Sequence, residues 1–440
     1  MTWQAVGAEI DADRPEDGGG SLATSGGSPA TGRRPWWTSG GFGRLFLGQA
    51  VSVVGSQVTF LALPIAAVFL LHASPAAMGL LGALDNLPYL LFGLGVGVLV
   101  DRYRRRRLMV SADLVRALAV GSIPISALAG RLTLTQLCVV VFIVGAANIV
   151  FDVSAQAQLP DLVAADRLVG ANGLLQTTSS LSLVVGPGLA GEIIALLGAP
   201  VAILVDSVSY LVSALCIGAI REPEAPRQAA GESMRRQVAE GLRLVRADRR
   251  LIAIAGATST ASLAANAMFA VFVYFLVTRF GLGGAAIGFL YMAVGISGAA
   301  GAVLVPAAAR RVGSGYMLAI MLVVAGVGLL GVALAGQSGF GGPACAAAVV
   351  GGSLLFGLGL ISFSVLSAGL RQALAPAAAR GRVLGTLRFF EWGSMPIGSL
   401  IGGLLGEIYG PVAAIEFAGL ALIGASVWIV RSPLVGRDGS

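Results

Sequence analysis

The chain has 440 residues, 56% of them hydrophobic and only 12% charged, and it carries a formal net charge of +7. A mean hydropathy of +0.86 excludes an ordinary soluble domain, which would expose far more apolar surface than water tolerates. The basic excess does not point to nucleic acid: every basic residue is Arg, and these lie in short segments between apolar runs with no basic face or interleaved aromatics.

Residues 1–40 are rich in Gly, Ser, Pro and acidic residues and have no apolar core, so a disordered tail is expected there. They lack the short apolar stretch and cleavage site of a secretory signal, and Trp36 and Trp37 suit a membrane-interface anchor. Twelve apolar runs follow, each of a length that crosses about 30 Å of hydrocarbon. They are expected at 42–71, 76–100, 108–129, 134–158, 172–197, 200–220, 251–279, 283–306, 314–336, 344–369, 384–408 and 411–430. An all-α membrane protein of 12 transmembrane helices follows from this count.

With the amino terminus inside, only Arg131 and Arg279 fall at the outer side, and every other arginine lies at or near the cytoplasmic side. Both termini are therefore expected in the cytoplasm of a multi-pass protein of the inner (plasma) membrane. The expected division is a tail at 1–40, a six-helix half at 41–220, a cytoplasmic central loop at 221–250, a second six-helix half at 251–432 and a tail at 433–440. An internal repeat supports the two halves. Arg167-Leu-Val-Gly170 matches Arg382-Val-Leu-Gly385, and Gly188-Leu-Ala-Gly191-Glu192 matches Gly403-Leu-Leu-Gly406-Glu407, both 215 residues on.

After the second run comes Gly97-Val-Leu-Val-Asp101-Arg102-Tyr103-Arg104-Arg105-Arg106-Arg107. An acid followed by a basic run at this place resembles the cytoplasmic loop between helices two and three of the major facilitator superfamily. The resemblance implies that Asp101 latches the halves in the outward-facing state by contacting the start of span 11, where a helix amino terminus favours a carboxylate. Arg102, Arg105 and Arg106 belong to the same loop, and Asp113 and Arg116 lie close enough in sequence to be assigned to the latch. The alternative reading is that the arginines only set topology. Arg104 stands where the family loop has Gly, and the corresponding segment of the second half, Val305 to Arg311, has no acid.

In the fifth span, Gly186-Pro187-Gly188-Leu189-Ala190-Gly191 resembles the antiporter motif of the superfamily, with Ala190 replacing one Gly. Generic small-residue packing is the competing explanation. Phrases such as Ala112-Asp113-Leu-Val-Arg116-Ala117 and Leu159-Pro160-Asp-Leu-Val163, with Trp392-Gly393, resemble the bacterial multidrug, macrolide and enterobactin exporter branch over about residues 42–435.

Ionisable residues inside spans are costly in hydrocarbon and so mark candidate functional positions. Asp85 lies near the middle of span 2 and is ranked first as a proton-responsive group. Asp152 continues a polar face of span 4 through Asn148 and Gln156 at four-residue spacing. Glu391 and Arg388 sit three apart in span 11, placed to pair with each other or across halves. For Asp152, Glu391, Asp206 and Glu416 a structural ion pair or hydrogen bond stands beside the coupling role. Gln49, Ser52 and Ser56 of span 1 and Asn172 and Gln176 of span 5 are expected, with Asn148, to line a polar part of a cavity. Phe60, Tyr89, Phe272, Tyr291, Phe389 and Trp392 are aromatic candidates for contact with an apolar body.

Cys138, Cys216 and Cys345 lie in apolar runs without metal or redox spacing, and His72 is the only histidine. No cofactor, metal or enzymatic constellation is expected. There is no phosphate-binding loop of the Gly-x-x-x-x-Gly-Lys type and no Lys at all. The reading is a monomeric secondary active transporter that exports small amphiphilic molecules by alternating access, with protons as the coupling ion and the bilayer and a small-molecule substrate as its partners. The alternatives are a dedicated exporter of an endogenous siderophore or antibiotic, and an uptake permease. Proton coupling is implied by the branch alone, because span 4 has no Arg ahead of Gly145 and span 1 has no acid.

Overall fold

The structure is a computed structural model and describes residues 40–93, 95–222, 234–337 and 342–435. The predicted tails, except Gly40 and Pro433–Val435, and residues 223–233 of the predicted central loop lie outside the described residues. Among the described residues all regular structure is helical, as the uninterrupted apolar runs require in lipid, where each backbone polar group must be satisfied within its own segment.

The first half runs through α1 (Gly40–Leu71), α2 (Pro75–Phe92), α3 (Val96–Arg102), α4 (Arg105–Leu128), α5 (Leu134–Leu162), α6 (Leu168–Leu197) and α7 (Ala199–Gly218). After α8 (Met234–Ala247), the second half contains α9 (Arg249–Phe280), α10 (Gly284–Val312), α11 (Ser314–Gln337), α12 (Pro343–Leu374), α13 (Arg380–Tyr409) and α14 (Pro411–Val430). Side-chain caps mark several starts: Ser74 accepts from Ala77 N at 3.4 Å, Thr133 from Gln136 N at 3.2 Å and Asp248 from Arg250 N at 2.8 Å.

Among the described residues ten helices are long and apolar enough to cross a membrane. The other two of the twelve predicted spans depart from a simple apolar rod for separate reasons. Span 2 is split into α2 and α3 after Pro88, which withdraws a helix hydrogen bond, and across Gly93 and Gly95. Span 11, α13, carries Arg380, Arg382, Arg388 and Glu391 in its first turns and becomes apolar only beyond Pro396. The predicted polar loop 221–250 also contains a helix. In α8, Val245 is buried with Leu251, Val383 and Leu387, Glu240 meets Arg382 at 2.6 Å, and Gly241 abuts Arg382 and Thr386. One apolar face docks α8 on α13 without making it a membrane span.

The two halves repeat at an offset of 212 residues: Leu168 to Arg380, Ala199 to Pro411, and the turns at Gly198 and Gly410, whose φ values are 79° and 89°. The sequence matches at 215 are thus three residues out of the structural register. Three residues fall short of one helical turn, so both motifs stay near one face of their helices.

The halves meet along α2 with α13 and along α6 with α10, and α9 also touches α1 and α2. Both main crossings lie toward the end of the bundle bearing Arg131 and Arg279, called here the arginine-poor face. A Cβ on Gly79 would lie 2.7 Å from Gly403 Cα, and one on Gly191 would lie 2.7 Å from the Gly284 carbonyl oxygen. Only glycine lets these backbones approach so closely.

Candidate functional site

Inside the bundle lie three adjoining chambers of about 360, 460 and 480 Å³; the first is lined by the first half alone, and the second and third by residues of both halves. The first and second share Tyr89, Asp152 and Gln156, and the first and third share Ser56, Gln57 and Asn148. The second contains residues of the arginine-rich ends of α12 and α13, including Arg371, Gln372 and Arg388, whereas the opposite ends of the helices are in backbone contact. The space is therefore a vestibule that closes toward the arginine-poor face.

The first chamber unites all six predicted cavity residues. Gln49, Ser52 and Ser56 come from α1, Asn148 from α5, and Asn172 and Gln176 from α6. The four-residue spacing of Asn148, Asp152 and Gln156 puts these three on the cavity side of α5. Arg116 enters the same wall from α4. Its guanidinium donates to Asn148 Oδ1 at 2.9 Å and to Asp113, and lies 4.4 Å from the ring centres of both Phe151 and Tyr210. Tyr210 shares a 3.0 Å hydrogen bond with Ser56, whose hydroxyl donates at 3.4 Å to Asp206 Oδ1. A buried polar chain thus ties α4, α5, α7 and α1 together behind the cavity surface.

Asp113 and Arg116 are consequently not brought to the loop that carries Asp101. They are 0% and 5% exposed inside the first half, two turns and more into α4. Asp101 is exposed at the end of α3, and it is not brought together with α13 by any ion pair or hydrogen bond among the described residues. Two neighbouring arginines make bonds within the first half: Arg105 donates to the Ala157 carbonyl and pairs with Asp161 at 2.8 Å, and Arg106 donates to the carbonyls of Gly218 and Ile220. Arg102 is exposed beside Asp101.

In the second chamber Glu391 pairs with Arg371 of α12 at 2.5 Å and not with Arg388 of its own helix. Arg388 instead lies over the Trp392 ring at 6.0 Å, and Trp392 makes an edge contact with Tyr89 of α2 across the halves. Arg371 was not legible as a partner, because it precedes Glu391 by 20 residues in another helix. Asp152 faces this chamber from the first half and is accessible, without a hydrogen-bond or ion-pair partner among the described residues.

The third chamber holds Asp85, Asp206 and Tyr210 in walls otherwise largely apolar, with Phe60 and Phe269. Asp85 sits where Gly145 of α5 crosses α2, close to the Asp85 carbonyl oxygen. Of the aromatic candidates, Phe60, Tyr89 and Trp392 line chambers, Phe272 and Tyr291 are buried behind Phe269, and Phe389 stacks edge-on with Phe390. Glu416 is engaged by Gln337 at the end of α11. Among the described residues no cluster of His, Cys, Asp and Glu is arranged to hold a metal ion.

The motif of α6 lies at the crossing with α10. Gly188 abuts Met292, the Pro187 carbonyl faces Gly288, and Gly191 faces Gly284 and Gly288, while Gly186 makes room for Gln57 of α1. On the other crossing, Glu407 of α13 accepts from the Ala76 amide at 3.1 Å and so caps α2 from the opposite half.

Two pseudo-symmetric six-helix halves around a central cavity define a membrane transporter built from structural repeats. Residues 45–394 match the Major Facilitator Superfamily, and the chain belongs to that family. It is 28% identical over 218 residues to macrolide efflux protein A of Streptococcus pyogenes, covering 48% of this chain and 53% of that protein. It is 30% identical over 184 residues to the multidrug efflux pump Tap of Mycolicibacterium fortuitum, covering 40% and 44%. The chain thus spans about half the length of the curated relatives it matches. In fold it is similar to a bacterial homologue of the iron transporter ferroportin in its inward-facing state, with a TM-score of 0.69 at 19% identity over 87% of this chain and 98% of that one. The family consists of transporters and not enzymes.

Proposed function

We propose that this chain is a secondary active exporter of small amphiphilic molecules, drugs or natural products, driven by proton antiport. The observation that carries the reading is the vestibule itself. It combines apolar and aromatic walls with accessible carboxylates at Asp85 and Asp152, and narrows at glycine crossings formed by the antiporter-type segment of α6. The similarity to macrolide and multidrug efflux proteins supports export over uptake.

With the arginine-rich face in the cytoplasm of the inner membrane, and both termini there, the conformation is inward-facing. Substrate enters the vestibule from the cytoplasm or inner leaflet. The halves then rock about the central site, closing the Arg388 chamber and parting α2 from α13 and α6 from α10. Asp101 reaches the start of α13 in that second state and holds it. Proton uptake from outside at Asp85 or Asp152 resets the cycle. The charged and titratable groups around them are Tyr89 on α2, Arg116 on α4, Asp206 and Tyr210 on α7, Arg371 on α12, and Arg388 and Glu391 on α13. A single chain supplies both halves, so a monomer suffices.

The test is accumulation of a panel of fluorescent amphiphilic drugs in a pump-deficient bacterial host expressing the chain, with and without a protonophore. Lowered accumulation that the protonophore abolishes is expected. Unchanged accumulation with the protein present in the membrane overturns broad export and favours a dedicated metabolite exporter.

A further inference from the structure

On the arginine-rich face, α9 and α14 pack side by side, and each carries an exposed apolar stripe that ends in an arginine. On α9, Leu251, Ala253 and Ile254 are buried, whereas Arg249 and Ile252 are exposed and Gly256 continues their face at the next turn. On α14, Val427, Trp428 and Val430 are exposed and lead to exposed Arg431. The stripes meet where the Trp428 ring packs over Gly256: a Cβ there would lie 2.5 Å from the ring. Gly256 lies about 10 Å of helix rise inside Arg249, and Trp428 about 4.5 Å inside Arg431, so the two arginines stand within about one turn of each other in depth.

The charge at this corner is not neutralised by its surroundings. Neither Arg249 nor Arg431 has an ion-pair or side-chain hydrogen-bond partner among the described residues. The acids nearby are already engaged, Asp248 with Arg250 at 3.1 Å and Glu240 with Arg382 at 2.6 Å. On α8, which leads into α9, exposed Arg243 and Arg246 stand on the side opposite the docked Gly241 and Val245 and extend the positive rim. A guanidinium pairs with a phosphate through parallel hydrogen bonds, and Trp favours the level of the headgroups. A basic rim above an apolar seam between helices therefore suits a lipid that is anionic at one end and apolar at the other. A soluble acidic partner would leave the apolar stripe unused.

We infer that the arginine-rich end of the α9–α14 seam binds an anionic diacyl phospholipid of the surrounding bilayer, Arg249 and Arg431 holding the headgroup phosphate and Ile252 and Trp428 receiving the first part of an acyl chain. The site lies on the outer surface of the second half, away from the vestibule, and does not depend on the exporter reading.

The test is native mass spectrometry of the full chain, purified in detergent and offered an equimolar mixture of phosphatidylglycerol and phosphatidylcholine with identical acyl chains. Each basic side chain near a membrane surface is worth about fivefold in affinity for anionic lipid, so a preference for phosphatidylglycerol of about tenfold or more is expected for the first bound lipid. Arg249→Gln with Arg431→Gln should lower that preference at least fivefold, and Arg249→Lys with Arg431→Lys should keep most of it. Trp428→Ala should weaken both lipids alike. Arg310→Gln with Arg311→Gln, which removes exposed charge of the same sign at the end of α10, should leave the preference unchanged. Should the Arg249 and Arg431 double variant fold poorly, Arg431→Gln alone decides, with a loss of at least threefold expected. Equal binding of the two lipids, a preference untouched by the Arg249 and Arg431 substitutions, an equal loss in the α10 variant, or displacement of the lipid by millimolar inorganic phosphate overturns the assignment.

Discussion

Arg116 is held by Asp113 one turn away on α4, and the pair is buried at the wall of the cavity and away from the exposed loop of Asp101. Its guanidinium fills the gap between Phe151 and Tyr210, so a cation from the third span supplies the positive charge that the fourth span lacks. Removing one partner leaves the other charge buried and alone, which typically costs about 3–5 kcal/mol. Asp113→Asn and Arg116→Ala are each expected to lower the thermal midpoint of the purified protein markedly, whereas Asp101→Asn leaves it unchanged. A small effect of Arg116→Ala would remove the pair from the framework of the first half.

The crossing of α6 and α10 brings glycine backbones together at the arginine-poor face. A Cβ on Gly191 would lie 3.0 Å from Gly288 Cα, and one on Gly288 would lie 2.8 Å from Gly191 Cα. Gly288→Val is therefore expected to disfavour closure at this crossing by about 1–3 kcal/mol, the cost of overpacking a close contact. Distances between spin labels at the outer ends of α6 and α10 should lengthen. Unchanged distances together with normal transport would show that the crossing yields freely.

Asp101 and Glu407 are expected to pull the equilibrium in opposite directions. Glu407 caps α2 from α13 in the conformation described, so Glu407→Gln should raise the population of the other state. Asp101 is exposed here, and the proposed cycle has it hold that other state, so Asp101→Asn should raise the population of this one. Each shift is expected to be a few-fold at most, because an exposed carboxylate at a helix terminus is screened by solvent. Label distances on both faces of the bundle provide the check, and shifts of the same sign in the two variants would refute the pairing of roles.

Glu222 ties the start of α1 to the end of the first half, accepting from Gly41 N at 2.5 Å and from Arg221 N at 3.0 Å. Partial burial alone would raise its pKa, but its own amide, those of Gly41 and Arg221, and the charge of Arg44 outweigh that and hold the carboxyl below its ordinary value. A depressed carboxylate pKa contributes stability that is full above the unfolded value, about 4.3 for Glu, and is lost as pH falls through the lower folded value. Exchange protection of the Gly41 amide should therefore fall as acid is added through that window. Glu222→Gln should show weak protection at every pH.

The α8 helix docks on the second half through Glu240 and Arg382, each about a quarter exposed. A pair so accessible is worth about 0–1 kcal/mol, so Glu240→Gln should leave the thermal midpoint within a degree or two. Val245→Asp, which puts a charge into the buried contact with Leu251 and Val383, should instead release the helix and expose it to protease. Equal protease resistance in the two variants would place the docking energy elsewhere.

Much of the architecture was legible without coordinates, because the bilayer leaves the backbone so few options. Most predicted spans agree with the observed helices to within a few residues, and the last, Pro411–Val430, agrees at both ends. All six polar residues assigned to the cavity line one chamber, since helical periodicity places such residues on a shared face and hydrocarbon forbids them the other. The break between α2 and α3 and the docked α8 were not read: the first depends on glycines inside an apolar run, and the second on an apolar face too short to register as a span.

The sequence by itself determined the membrane class, the twelve spans in two halves, the family, and the residues too polar to face lipid, because each follows from local composition measured against the solvent. Tertiary structure decided their partners. Glu391 chose Arg371 over Arg388, Arg116 joined the cavity wall instead of the latch, and Asp85 and Asp206 came to share one chamber without a cation. Partner choice depends on helices far apart in the chain that approach only where facing glycines permit it, a relation absent from the periodicity of any single span.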